Sequence, residues 1–215
     1  MLPIYVMHDS GLDEFEVNVI KSGLAELKET LPERQIYNYG AETWCEGAYS
    51  SADWYISKGK SVMRPDHPAQ LDARSVLLLT MREPWQIAEK HIDIIFTSQD
   101  LTTKYEDGYL NFCFGLTMGR YTIQSVARFR DLPLRDRCLV IKSLMWHELG
   151  HVLGAAGNLL RDNTVDKLGS HCINYGCVMQ QGMTVQEMVQ NARQAERRGR
   201  IYCPDCMADI RKSPI

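Results

Sequence analysis

Apolar positions along the chain change period from segment to segment, and the period predicts the element. Residues 3–8 (Pro-Ile-Tyr-Val-Met-His) read as an opening strand. From Asp13 to Leu31, Phe15, Val19, Ile20, Leu24 and Leu27 recur at helical spacing, so an amphipathic helix follows. Gln35 to Tyr39 reads as a second strand, whereas Gly40 to Arg74, with Trp44 and Trp54, is polar and carries no assignable pattern. Ser75 to Thr80 reads as a buried strand, Pro84 to His91 as a short helix, and Ile92 to Ser98 as a strand rich in Ile and Phe. Beyond a loop at 99–108, Leu110 to Leu116 and Arg120 to Val126 read as extended, with Gly115 and Gly119 marking turns or bulges. The strongest helix runs from Leu134 to Leu153: Ile141, Leu144, Met145, Leu149 and Val152 form its apolar face, Pro133 suits its first turn and Gly154 its stop. A polar helix from Thr184 to about Arg198 precedes a Cys203-Pro204-Asp205-Cys206 turn. Strands alternating with helices predict an α/β fold (α+β, with a mixed sheet) in a single domain over residues 1–215, of which 155–215 form a C-terminal subdomain.

Composition narrows the class. At 45% hydrophobic and 24% charged residues, the chain can bury a core of its own, which excludes disordered and fibrous classes. A formal net charge of -3 leaves no basic excess for nucleic acid. The apolar run Val76 to Thr80 is far too short for a bilayer span of about 20 residues. The first residues show no secretory signal, so a cytoplasmic location with neither nucleic acid nor membrane as partner is expected. Seven cysteines are an odd number, and in a reducing compartment metal ligation is favoured over a disulfide framework. Cys172 and Cys177 are spaced C-x4-C and Cys203 and Cys206 C-x2-C, while Cys45, Cys113 and Cys138 stand alone as packing residues.

The chemistry concentrates on the strong helix. His147-Glu148-Leu149-Gly150-His151 is an H-E-x-x-H, and on a helix residues four apart share a face, so one metal can bridge the two imidazoles. The alternative is a hydrogen-bonded polar patch. Zinc suits imidazole ligands and, with a third protein ligand, keeps a fourth position for water. Gly154 would let the chain turn back toward the metal, and H-E-x-x-H-x-x-G opens the metzincin signature. The next expected ligand position is Gly157, which has no side chain. His171 follows fourteen residues later, with Cys172 beside it and Cys177-Val178-Met179 beyond.

This succession resembles the archaemetzincin family of zinc metallopeptidases, in which the helix motif runs through a His-Cys pair to a Cys-x-Met segment and then a C-x-x-C. The resemblance covers mainly residues 140–206, with a weaker likeness at Asn111 to Leu116. It implies a metzincin-like fold and two zinc ions per chain. His147, His151 and His171 would hold the catalytic ion, with Glu148 as general base and Met179 beneath the metal. Cys172, Cys177, Cys203 and Cys206 would hold a structural ion that pins the tail to the Cys172–Cys177 loop and so fixes His171. The chain departs from the pattern by the insertion at 157–170. Loop closure grows costlier only slowly with length, so His171 can still return; Asp162 or Asp166 could ligate instead. A downstream Glu187 or Glu196 would be the gluzincin alternative, against which the His-Cys pair argues. The four thiols could also form disulfides or serve a redox role.

The implied reaction is hydrolysis of a peptide or protein substrate lying along an exposed sheet edge, with Tyr121 to Val126 as the candidate strand. The rival is a zinc-stabilised scaffold without turnover. Tyr175, near His171, is a candidate oxyanion donor. His8, His67 and His91 read as surface or satisfied core histidines, and the basic run Arg193 to Arg200 as a solvated helix face. Peptide specificity, exo- or endopeptidase action and oligomeric state are not legible.

Overall fold

The computed structural model describes residues 1–42, 51–64, 67–106 and 108–215; Trp44 and Cys45 lie outside them, and the His67 side chain is likewise not described. The opening apolar run forms β1 (Ile4–His8), and α1 (Glu14–Thr30) leads to β2 (Ile36–Gly40). The unassigned stretch contains α2 (Ala52–Lys58), β3 (Ser61–Arg64) and β4 (His67–Asp72). Helices α3 (Ala73–Thr80) and α4 (Pro84–Ala88) precede β5 (Ile92–Thr97). Three two-residue strands follow, β6 (Leu101–Thr102), β7 (Lys104–Tyr105) and β8 (Gly108–Tyr109). The hairpin β9 (Gly115–Met118) and β10 (Tyr121–Ser125) then leads to the long α5 (Leu134–Val152). Beyond it come β11 (Thr164–Asp166), β12 (Ser170–Cys172), α6 (Val185–Arg198) and α7 (Pro204–Lys212).

Five strands form the main sheet, ordered β2-β1-β5-β10-β9. The first four run parallel, and β9 closes one edge antiparallel to β10. Alternation along β1 and β5 decides what each face buries. Ile4, Val6, Ile92, Ile94 and Phe96 meet Val19, Ile20 and Leu24 of α1 and Ile141, Leu144, Met145 and Leu149 of α5. Met7, Ile95 and Ile123 point the other way, into Tyr55 and Ile56 of α2 and Val76 and Leu77 of α3. A parallel sheet covered on both faces explains why its central strands are buried at every position.

Helix α1 starts at a capping box, Asp13 accepting from the Glu16 N–H at 2.7 Å and Glu16 from the Asp13 N–H at 2.9 Å. Glu16 also receives Arg130 at 2.9 Å and Arg137 of α5, so one carboxylate caps α1 and ties it to the helix beside it.

Four expectations need correction. Ser75 to Thr80 is helical because Asp72 caps the segment, accepting from the Arg74 N–H at 3.2 Å, and because the apolar run is buried at Ala73, Val76, Leu77 and Thr80. A short apolar run carries no period of its own. Residues 110–114 form no regular strand: Cys113 makes an isolated bridge to Leu101, and pairing begins at Gly115. Tyr121 to Val126 is not an edge, since β10 pairs with β5 on one side and β9 on the other. The C-P-D-C segment opens α7, with the Cys203 sulfur accepting from the Cys206 N–H and Pro204 in the first turn.

Candidate metal centre and cleft

Helix α5 ends in a way that places both of its histidines. Gly154 has φ +77°, its N–H donates to the His151 carbonyl at 3.2 Å, and the Ala155 N–H donates to the Gly150 carbonyl at 2.8 Å. These two bonds make a Schellman stop that turns the chain out of the helix directly below the His147–His151 face. Gly150 lies against Met179: a Cβ there would come 2.3 Å from the Met179 sulfur, so the glycine lets the methionine pack onto the helix between His147 and His151 in sequence.

The inserted segment supplies a strand. β11 pairs antiparallel with β12, Val165 opposite His171 and Thr164 opposite Cys172, across a turn where Leu168 and Gly169 have positive φ. The hairpin brings His171 back to α5. Among the described residues, one donor atom from each of His147, His151 and His171 lies within 4.8 Å of the others. His147 Nε2 and His151 Nε2 are 3.1 Å apart, close to the ~3.4 Å edge of a tetrahedron with Zn–N bonds of about 2.05 Å. The Nδ1 atoms of His147 and His171 each lie 2.8 Å from a carbonyl oxygen, of Val178 and Gly169 respectively. A carbonyl only accepts, so both Nδ1 atoms carry the proton and both Nε2 lone pairs face inward. Burial, then the neighbouring His171, lowers His147 to about 4, and burial with the other two rings holds His151 well below its usual value. Burial also lowers His171. All three rings are therefore neutral at pH 7, the state that binds metal.

Glu148 faces the edge strand instead. Its Oε2 accepts from the Thr117 hydroxyl at 2.7 Å, and the same hydroxyl lies 3.2 Å from the Glu148 carbonyl. Burial pushes its carboxyl up to about 7, against the Thr117 hydrogen bond. Gly115 of β9 makes room, since a Cβ there would stand 2.6 Å from Oε1. Neither β9 residue was singled out as a site residue from the sequence; the Asn111–Leu116 likeness ended just short of Thr117. The cleft between β9, α5, the hairpin turn and the 181–183 segment has a volume of about 580 Å³. Its walls include Phe112, Leu144, Leu168, Met183 and Met188, with Arg74 and Lys104 among its polar lining.

The second group is buried behind the first. Cys172, Cys177, Cys203 and Cys206 are all buried, with sulfurs within 4.8 Å of one another, and none is in a disulfide. Cys172 to Cys203 and Cys177 to Cys206 are each 3.8 Å, matching the ~3.8 Å edge expected for four Zn–S bonds of about 2.3 Å. Hydrogen bonds from the other three sulfurs pull the Cys203 thiol far down, and it receives the Cys206 N–H at the start of α7. The two groups share backbone. His171 and Cys172 are adjacent, the Cys172 N–H donates to the Met179 carbonyl at 3.0 Å, and the Val178 carbonyl that orients His147 follows Cys177. Tyr202, beside Cys203, donates its hydroxyl to the Trp146 carbonyl at 2.7 Å, another tie that sequence reasoning missed.

The other candidates lie elsewhere. Glu187 caps α6, receiving the Thr184 N–H at 3.1 Å, and Glu196 pairs with Arg135 at 3.0 Å. Asp162 and Asp166 are exposed and outside the donor group. Tyr175 is exposed and does not line the cleft. Arg193, read as part of a solvated face, makes a bidentate pair with Asp136 of α5 at 2.8 and 2.7 Å. His8 and His91 are buried and hydrogen-bonded; His91 lies 3.1 Å from Asp93.

A mixed α/β sheet with a His-Glu-x-x-His helix beside its antiparallel edge strand and a third imidazole returned from beyond the helix stop defines a metzincin-like architecture. The fold is that of the archaemetzincins. An archaemetzincin from Methanopyrus kandleri superposes with a TM-score of 0.64 at 21% identity, covering 98% of this chain and 94% of that one. An archaemetzincin from Archaeoglobus fulgidus, solved in complex with malonate, gives 0.56 at 19% identity, covering 97% and 99%. No family model and no curated protein sequence matches the chain.

Proposed function

We propose that the protein is a zinc-dependent metallopeptidase. The observation that carries this reading is the convergence of three imidazoles beside the Glu148 carboxylate in one cleft. In this reading His147, His151 and His171 hold the catalytic ion, and Cys172, Cys177, Cys203 and Cys206 hold a structural one, two zinc ions per chain. When bound, the catalytic ion supplies Lewis acidity toward a carbonyl and lowers the pKa of water to about 7.

The chain's own residues do the rest. The Thr117 hydroxyl holds Glu148 Oε2, which leaves Oε1 to take the proton of the attacking water and return it to the leaving amine. Met179 supports the histidine pair from below. Among the described residues no strand pairs with the outer side of β9, Gly115–Met118, beside the cleft, and an extended peptide or protein segment can add to it as a further strand. No helix among the described residues is long and apolar enough to cross a membrane. A cytoplasmic location is part of the same reading. Neither a nucleic acid nor a membrane partner enters this reading.

The test pairs turnover with metal counting. Glu148→Gln should lower peptide hydrolysis by about 10²- to 10⁴-fold while both zinc ions remain bound. Undiminished hydrolysis by that variant would remove Glu148 from the mechanism, and absence of hydrolysis by the wild type on a diverse peptide library would favour the scaffold reading.

A further inference from the structure

The insertion that separates Gly154 from His171 does more than return a histidine. It also carries a cation onto the four-cysteine group. Arg161 is largely buried, its side chain 15% exposed, and its Nη2 donates toward the Cys206 sulfur at 3.7 Å. The same nitrogen is 3.0 Å from Asp209 of α7 and Nη1 is 3.9 Å from Asp205, an ion pair too long for a hydrogen bond; Nε is buried without a hydrogen-bond partner. Two residues on, Asn163 donates to Asp205 Oδ2 at 2.7 Å. That oxygen also receives Asn174, whose amide lies 3.4 Å from the Cys203 sulfur.

Four thiolates around one divalent ion leave a net charge of -2 in a buried place, and the repulsion among sulfurs opposes ligation. A guanidinium donating toward one sulfur sets a positive group directly against that thiolate, while Asp209 and Asp205 hold the guanidinium in place. We propose that Arg161 is a positioning residue for the four-cysteine metal site, acting by its charge on the thiolates as well as by tying the insertion to α7. The proposal rests on reading the cysteines as a zinc site and is independent of the peptidase reading.

Cobalt is the probe, because thiolate ligation gives a charge-transfer absorption that imidazole ligation does not. In the full chain, Arg161→Met should weaken cobalt at the thiol band by about 10- to 100-fold, the range for loss of a group bonded to a metal ligand. It should likewise speed zinc loss to a chromogenic chelator. Arg161→Lys should recover most of the affinity. Asp209→Asn, which removes the nearer carboxylate partner but leaves the guanidinium beside Cys206, should bind cobalt nearly as the wild type does. Equal cobalt affinity in Arg161→Met and wild type overturns the proposal. So does an Asp209→Asn loss as large as that of Arg161→Met, which would make the arginine only a strut. If Arg161→Met does not fold, Arg161→Gln, which is also neutral but keeps a polar end, takes its place under the same two criteria. A wild type with no thiolate band refutes the metal reading of the cysteines themselves, a result distinguishable from the other two.

Discussion

Glu148 depends on residues that its own helix does not supply. Thr117 holds one carboxylate oxygen, and the missing side chain of Gly115 leaves space for the other. Adding a methyl group at Gly115 would force the carboxylate aside. The displaced atoms are the far end of a flexible side chain, so chemistry should suffer before folding does. Gly115→Ala is expected to lower turnover by about 10- to 100-fold, since a displacement near 1 Å at a reacting group has that order of effect. Its melting temperature should stay within about 3 °C of wild type, less than about 1 kcal/mol for a domain of this size. Parallel turnover and thermal unfolding measurements check this; a large stability loss with normal turnover would mean that β9, and not Glu148, absorbs the change. The histidines and cysteines were legible because their spacing along one helix or one short segment is itself chemical information. Gly115 and Thr117 were not, because their partner is 33 and 31 residues away in sequence and meets them only across the sheet edge.

At the scale of elements, the two ends of the insertion decide whether His171 arrives. The start is the Gly154 stop. A Cβ at Gly154 would find only ordinary contacts with Ser213 at 3.5 Å, so the cost of Gly154→Ala comes from its φ of +77° and not from crowding. Left-handed backbone costs a non-glycine residue about 1–2 kcal/mol, which should lower the melting temperature by about 3–6 °C. Calorimetry of the variant measures it, and an unchanged transition would show that the chain leaves α5 by another route. The long helix was readable from its 3.6 period, its proline start and its glycine stop. Helix α3 was misread because the run Val76–Thr80 is apolar in sequence without visible alternation; the Asp72 cap and the burial of Ala73, Val76, Leu77 and Thr80 at helical spacing appear only in the fold. The edge strand was misassigned for a different reason. Sequence can suggest that 115–118 and 121–125 are both extended, but which of them has a free side depends on β5 pairing with β10.

Across the whole molecule, Glu16 joins the start of α1 to Arg130 and Arg137 and thereby braces the helix that bears the histidines. Burial alone would raise its carboxyl; hydrogen bonds from the two guanidiniums outweigh this and hold it below the usual 4.5. A lowered folded-state pKa means that the stabilisation is complete above the unfolded value near 4.5 and is lost as pH falls through the lower, folded one. Resistance to urea should therefore fall on going from pH 5 to pH 3, and Glu16→Gln should flatten that dependence. At pH 7 the same variant should cost about 3 kcal/mol, because it leaves Arg137 buried with a weakened partner. Identical pH slopes in the two proteins would rule out Glu16 as the source. The two donor groups are also a whole-molecule property. The sequence alone determined which donors exist, that two imidazoles share a helix face, and that the cysteines fall into two close pairs, because these follow from covalent spacing and helical geometry. Only the tertiary structure decided that His171 crosses its insertion to join them, that β9 is the open edge, and that Arg161 and Thr117 reach their partners. Those contacts join segments far apart in the chain, and they form only when burial of both sheet faces and the β11–β12 pairing bring the segments together.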